Sequence, residues 1–214
     1  MLEYDFETHD EMIEFSGVAG EMLSMTVEKI ANLYLKNDKA WVIGFSGGKD
    51  STVVLSLVFQ ALTTLKKEQL TKKVYVVCSD TLVETPVVVG LIRETLNDVQ
   101  ECANKKGIPL VTQIVVPEVG QTFWSNLLGK GYPAPTKSFR WCTERMKINP
   151  VSEFIQGTVS NHGEVIVALG SRSQESATRA QSIAKHAIKG SELSRHSSLP
   201  NAFTYMPIEN WHVD

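Results

Sequence analysis

A chain of 214 residues with 43% hydrophobic side chains carries enough apolar surface for the core of one domain and a small appendage. Its formal charge of −3 argues against indiscriminate nucleic-acid binding by the molecule as a whole, and the start MLEYDFETHDEMIEF is acidic where a signal peptide is expected to be basic and then apolar. No apolar run reaches the roughly 18 residues of a membrane span, so the expectation is a cytoplasmic protein with no membrane partner.

In chain order, apolar residues recur at helical spacing over residues 10 to 36, most clearly at Leu23, Val27, Ile30 and Tyr34. This predicts a helical N-terminal segment, residues 1 to 39, packed on a domain that fills residues 40 to 214. Strand-like runs rich in Val and Ile follow at 40 to 45, 73 to 78, 110 to 116 and 164 to 169. Helical patterns separate them at 51 to 67, 86 to 106 and 143 to 156, the second opening on Pro86, which suits a first helical turn. Residues 117 to 141, punctuated by glycine and proline, read as a long loop, and residues 185 to 203 read as aperiodic and mobile. Buried strands alternating with helices predict an α/β fold with a doubly wound parallel sheet, Rossmann-like, whose ligands sit at the carboxyl ends of the strands.

Charge is unevenly spread. The first 36 residues set eight acidic side chains against Lys29 and Lys36, whereas from Lys130 onward ten Lys and Arg outnumber six Glu and Asp214. The basic half suits phosphate, or it is a solvated surface of mixed sign. The three cysteines, Cys78, Cys102 and Cys142, lack framework spacing and are expected to stay reduced, with Cys78 and Cys102 in the core.

The stretch FSGGKDS, residues 45 to 51, joins the first strand to a helix. Ser46, Gly47, Gly48, Lys49, Asp50 and Ser51 therefore occupy a helix start, where free N–H groups and the helix dipole favour an anion. Glycines allow close backbone approach, serines add donors and Lys49 adds charge, which suits a pyrophosphate group; the alternative is a plain glycine turn capped by Asp50 or Ser51. The spacing is not that of the Walker loop, which needs four residues between its glycines and then Lys-Ser/Thr.

The stretch resembles the PP-loop, SGGxDS, of the adenine nucleotide α-hydrolase-like superfamily. That resemblance implies cleavage of ATP between its α and β phosphates, with residues 46 to 51 holding the leaving pyrophosphate together with Mg2+. Lys49 and Asp50 then count among the catalytic residues, with Asp50 as a magnesium ligand. A donor-rich loop and a divalent cation would both stabilise charge building on the departing group.

Three more motifs stand in order behind it. CSDTLVETP, residues 78 to 86, puts Asp80 and Thr81 at the carboxyl edge of the second strand, where a ribose or metal would lie or where Asp80 caps the next helix. KSFRWCTERMKINP, residues 137 to 150, brings Arg140 and Cys142 to a helix mouth with Arg145 and Lys147 close behind. Nearby cations suit a thiolate nucleophile, a persulfide carrier or an iron ligand; a small buried thiol is the plainer account. LGSRSQESATRA, residues 169 to 180, sets Arg172, Glu175 and Arg179 at spacings that share one helical face, with Ser176 among them. Either this is an ion-paired surface or the arginines hold nucleotide phosphate.

Together these strings resemble the DndC/SspD type of the phosphoadenylylsulfate (PAPS) reductase-like family, over roughly residues 40 to 212. The resemblance implies an enzyme: an ATP pyrophosphatase of DNA phosphorothioation that adenylates a backbone phosphate for sulfur incorporation. Catalysis would fall to Lys49, Asp50, Cys142 and Arg172. ATP would be held by residues 46 to 51, Asp80, Thr81, Arg140, Arg172, Glu175, Ser176 and Arg179. Implied partners are a cysteine desulfurase, other DNA phosphorothioation proteins, and DNA met directly or through them. A [4Fe-4S] cluster on Cys142 would need cysteines from a longer chain, and the closing string YMPIENWHVD reads as a motif cut short. The alternatives are a sulfate adenylyltransferase small subunit or PAPS reductase-like enzyme of sulfate assimilation, a tRNA thiolation enzyme, and an ATP-binding scaffold without turnover.

Overall fold

A computed structural model of the protein describes residues 18 to 212; residues 10 to 17 of the expected N-terminal helix lie outside it. Helix α1, Val18–Leu35, buries Val27, Ile30 and Tyr34, as the helical spacing requires. The Tyr34 hydroxyl donates to the Lys72 carbonyl at 3.0 Å and accepts from the Lys72 N–H at 3.1 Å, which fastens the end of α1 to the chain entering the second strand.

Six strands form one sheet: β1 Ala40–Phe45, β2 Val74–Ser79, β3 Leu110–Val115, β4 Val165–Ala168, β5 Ser194–Arg195 and β6 Ala202–Tyr205, in the order β3-β2-β1-β4-β6-β5. Every pairing is parallel except β5 with β6. The chain steps outward from β1 to β3 and then crosses back to β4 on the far side of β1, so the switch point lies between β1 and β4.

Side chains alternate across this sheet and build two cores. Trp41, Ile43 and Phe45 face α1, α2 (Lys49–Thr63) and α3 (Pro86–Lys106), together with Val54, Val58, Leu62, Leu96 and Val99. Ala40, Val42, Val165 and Val167 face the opposite side, against Ile155 of α5 (Asn149–His162). Trp41 is fully buried between Tyr34 and Tyr205, with ring centroids 6.1 and 5.9 Å away. A sheet covered on both faces is the doubly wound arrangement that the alternating pattern predicts.

The differences from that pattern have local causes. The aperiodic segment 185 to 203 contains β5 and the start of β6, anchored by an Ala187–Ser194 bridge; a two-residue strand leaves no periodicity to read. The long loop contains a 3-10 turn at Val119–Gln121 and a π turn at Ser125–Gly129. The helix that follows starts earlier and ends later than its apolar pattern: α4 (Trp141–Thr143), a π segment (Glu144–Ile148) and α5 run in direct succession. Pro150 explains the widened register, because it has no N–H to return to the Met146 carbonyl four residues earlier. The Ser79 hydroxyl donates to that carbonyl at 2.6 Å, tying the segment to the end of β2.

The Trp41 Nε1–H has no protein acceptor although it is buried. Replacing Trp41 by Ala is expected to cost about 3–5 kcal/mol through the cavity left behind. Trp41→Phe, which keeps an aromatic ring and removes the unpaired donor, should cost less than half of that in urea unfolding.

Candidate functional site

Five chain segments leave the carboxyl edge of the sheet: those after β1, β2, β3, β4 and β6. After β1 the backbone turns sharply, with Gly47 at φ +71°, where a side chain would be strained and where a Cβ would lie 3.0 Å from Ile92. Gly48 is the cap residue of α2, and no side chain caps this end. Asp50 and Ser51 therefore do not serve as helix caps, and the first-turn N–H groups stay available to an anion. Ser51 is buried and braces the turn: its hydroxyl donates to the Gly48 carbonyl at 2.8 Å and accepts from the Ser46 N–H at 3.2 Å. Ser46, Gly47, Gly48 and Lys49 are exposed.

The loop after β4 closes on this turn across the switch point. Arg172 is buried, and its guanidinium donates to Asp50 Oδ2 at 3.1 Å, while its Nε–H has no protein acceptor. Gly170 makes the approach possible, since a Cβ there would stand 2.7 Å from the Asp50 carbonyl group and 2.9 Å from the Ser51 nitrogen. Ser173 then donates from both its N–H and its hydroxyl to the Glu209 carbonyl, at 3.0 and 3.1 Å, so the closing segment of the chain pins the arginine turn. Gly170 and Ser173 lie inside the string 169 to 180, but spacing assigns neither a role, because what selects them is contact with distant backbone.

Arg172 does not share a helical face with Glu175 and Arg179. It precedes a 3-10 turn, Ser173–Glu175, and the next helix, α6 (Ala177–His186), begins only after Ser176, its cap, which accepts from the Arg179 N–H at 3.2 Å. Glu175 accepts from the Arg172 N–H at 2.9 Å and pairs with the Arg179 guanidinium. The Arg172 N–H, followed by Arg179, holds the Glu175 carboxyl below its usual range. The surface ion pair expected as the plainer account is thus present between Glu175 and Arg179, while Arg172 turns inward to Asp50.

After β2, Asp80 accepts from the Leu82 N–H at 2.9 Å and lies 3.6 Å from Arg93, with Leu82 held at φ +61°. The cap of α3 is Thr85, so Asp80 shapes the turn and does not cap the helix. Thr81 is buried, its hydroxyl 3.3 Å from Glu84. Asp80, Leu82, Glu84, Pro86, Val89, Gly90 and Arg93 line an open cleft beside the glycine turn. Asp80 and Arg172 stand at the ends of β2 and β4, one strand either side of β1, and Asp80 takes Arg93 as its ion-pair partner.

At the helix mouth, Arg140 is exposed and Cys142 is half-buried and free. Lys147 reaches back to Glu84 at 3.5 Å, which joins this wall to the β2 turn. Arg145 donates to Gln121 and to the Tyr132 hydroxyl, the latter at 2.9 Å. Cys78 is core, and burial, with the Asp80 carboxylate adding to it, pushes its thiol up to about 11. Cys102 is only half-buried on α3, where the exposed helix flank overrides the expectation of a core thiol.

The donors suit a polyphosphate better than a cluster. Free N–H groups of the turn and the unpaired Nε–H of Arg172 lie on either side of Asp50, which gives one carboxylate oxygen to Arg172; its other oxygen is the group here that would meet a hydrated magnesium ion. Among the described residues no group of three or more His, Cys, Asp or Glu side chains is placed to hold a metal ion. The three cysteines lie on β2, α3 and α4, so this chain does not supply the four thiolates of a [4Fe-4S] cluster. Among the described residues no helix is long and apolar enough to cross a membrane.

Comparison with known proteins follows the same lines. Residues 40–214 match the model of the phosphoadenosine phosphosulfate reductase domain. An uncharacterised protein of Methanocaldococcus jannaschii is 30% identical over 182 residues, which are 85% of this chain and 31% of that protein. A second from the same organism is 31% identical over 135 residues, 63% of this chain and 26% of that one. The chain thus spans about a third or less of the length of these relatives. The crystal structure of a PAPS reductase from Candida auris in complex with phosphate shares the fold at a TM-score of 0.52 and 12% identity, covering 94% of this chain and 84% of that one.

Gly170→Ala is expected to displace the start of α2 and to cost about 1–3 kcal/mol in denaturant unfolding, because the atoms it meets are backbone and cannot swing aside. Gly120→Ala, where a Cβ would meet nothing within 4 Å, should stay close to wild type and serves as the control.

Proposed function

The chain belongs to the phosphoadenosine phosphosulfate reductase domain family, and on that premise we propose that it is an ATP pyrophosphatase of the DndC/SspD type. In this reading it adenylates a DNA backbone phosphate for replacement of a non-bridging oxygen by sulfur. The observation that carries the nucleotide part is the Arg172–Asp50 bridge over an uncapped helix start, with an unpaired guanidinium N–H buried beside it. Such a corner suits the two outer phosphates of ATP and leaves the innermost phosphorus open to attack.

A DNA phosphate oxygen attacks the α-phosphorus, the bond to the β-phosphate oxygen breaks, and pyrophosphate leaves. The N–H groups of residues 47 to 51, Lys49 and Arg172 stabilise the charge that builds on it. Magnesium, when bound, supplies further neutralisation of the phosphates, with Asp50 as its protein ligand. The terminal sulfur of a persulfide, delivered by a cysteine desulfurase and relayed through Cys142, then attacks the DNA phosphorus. AMP departs with one oxygen of the former DNA phosphate, and a second thiol cleaves the remaining S–S bond, leaving the phosphorothioate and a disulfide. Cys142 fits the relay better than Cys78 because it is half-buried at the rim and Cys78 is sealed in the core as a neutral thiol.

Incubation with ATP, magnesium, DNA and a persulfide donor is expected to yield AMP and pyrophosphate. ADP and phosphate as products would overturn the scheme, and sulfate-dependent exchange of pyrophosphate into ATP would point to the sulfate-assimilation alternative. Asp50→Ala should lower AMP formation at least about a hundredfold, by loss of the Arg172 partner and of the magnesium ligand together. A scaffold without turnover would be insensitive to it in complex formation.

A further inference from the structure

The loop from Val116 to Arg140 is held together by its own aromatic side chains. Phe123 stacks on Trp141 with centroids 5.5 Å apart, Tyr132 meets the same ring edge-on at 5.6 Å, and the Trp141 Nε1–H donates to the Pro133 carbonyl at 3.0 Å. Trp124 packs edge-on against Phe123 at 5.2 Å, so it sits two ring contacts from the helix mouth, yet it remains 57% exposed. Phe139 is 45% exposed on a turn closed by reciprocal backbone bonds with Thr136, at 3.1 and 3.3 Å. Two flat rings are thus presented to solvent on a braced frame, which lowers the entropy cost of stacking on them.

Between Glu118 and Glu144 the loop carries charge of one sign. From Val119 to Thr143 the sequence has no acidic residue, while Lys130, Lys137 and Arg140 are cationic. Lys130 is spent on the Gly120 carbonyl at 2.6 Å. Among the described residues Lys137 and Arg140 pair with no carboxylate, and they flank Phe139 along the exposed turn. Cys142 lies two residues beyond Arg140.

We propose that Trp124, Lys137, Phe139 and Arg140 form a platform for a single-stranded nucleic acid segment, the rings stacking on unpaired bases and the cations meeting the backbone, at the rim that holds Cys142. Exposed rings suit bases whose faces are open, which a duplex conceals, and unpaired cations suit a polyanion. The exposed Val119 and Leu128 on the same loop would serve a protein partner instead, but they explain neither the missing acidic residues nor the two unpaired cations. The inference rests on the reading of a nucleic acid as substrate, and its test is independent of ATP chemistry.

Fluorescence anisotropy with the full chain would compare a labelled homothymidine DNA strand, the homouridine RNA strand and a DNA duplex, over a range of salt. Single strands are expected to bind more tightly than the duplex. Trp124→Ala and Phe139→Ala should each weaken single-strand binding about tenfold, with unfolding midpoints near wild type. Lys137→Glu should reduce the salt dependence by about one phosphate contact. Duplex binding equal to single-strand binding, or wild-type affinity in all three variants, overturns the platform. Tighter binding of the RNA strand would keep the platform and overturn DNA as the substrate. AMP formation without strand binding would overturn the platform alone, and strand binding without AMP formation would overturn the adenylation reading alone.

Discussion

The contact between Arg172 and Asp50 joins the two halves of the doubly wound sheet at its carboxyl edge, 122 positions apart in the chain. A guanidinium this buried is expensive to desolvate, and a single carboxylate partner rarely repays that cost as net stability. Its value is positional. The pair holds the loop after β4 against the start of α2, and Gly170 lets the two backbones meet without an intervening side chain. The result is a corner in which the amide donors of the glycine turn meet an incompletely paired arginine.

The opposite wall is built by the crossover from β3 to β4. Because this connection returns over β2 and β1, its helix mouth is brought to the same edge as the glycine turn. Pro150 leaves the Met146 carbonyl without its helical partner, and Ser79 at the end of β2 takes it up. Lys147 adds a second tie to Glu84. Two short polar contacts therefore set where Cys142 stands relative to the cleft, and they do so with residues that carry no chemistry of their own.

The two readily confused thiols separate on the same physical ground. Cys78 lies in a buried strand, where desolvation disfavours the thiolate, whereas Cys142 lies at a rim between sheet edge and solvent. The electrostatics of the long loop follow a parallel division. Arg145 is consumed in bracing Tyr132 and Gln121, and Lys137 and Arg140 remain outward, so cations close together in sequence have different tasks.

Four core strands, the helices between them and the glycine turn after β1 were legible from sequence, because buried parallel strands demand continuous runs of Val and Ile and a tight anion-binding turn demands Gly47. Strand β6 and the two-residue β5 were not: β5 is too short to carry a period, and β6, with the sequence AFTY, lacks the Val and Ile run that marks the equally short β4. Spacing alone also put Arg172 on a helix with Glu175 and Arg179; tertiary contact set it apart, because its long side chain reaches a carboxylate in the first turn of α2. Local pattern determined which elements form and which residue types crowd the carboxyl edge. Which partner each charged side chain takes, Asp50 with Arg172 and Asp80 with Arg93, was decided only by the folded sheet, since those pairings depend on strand order and on the close approach at Gly170.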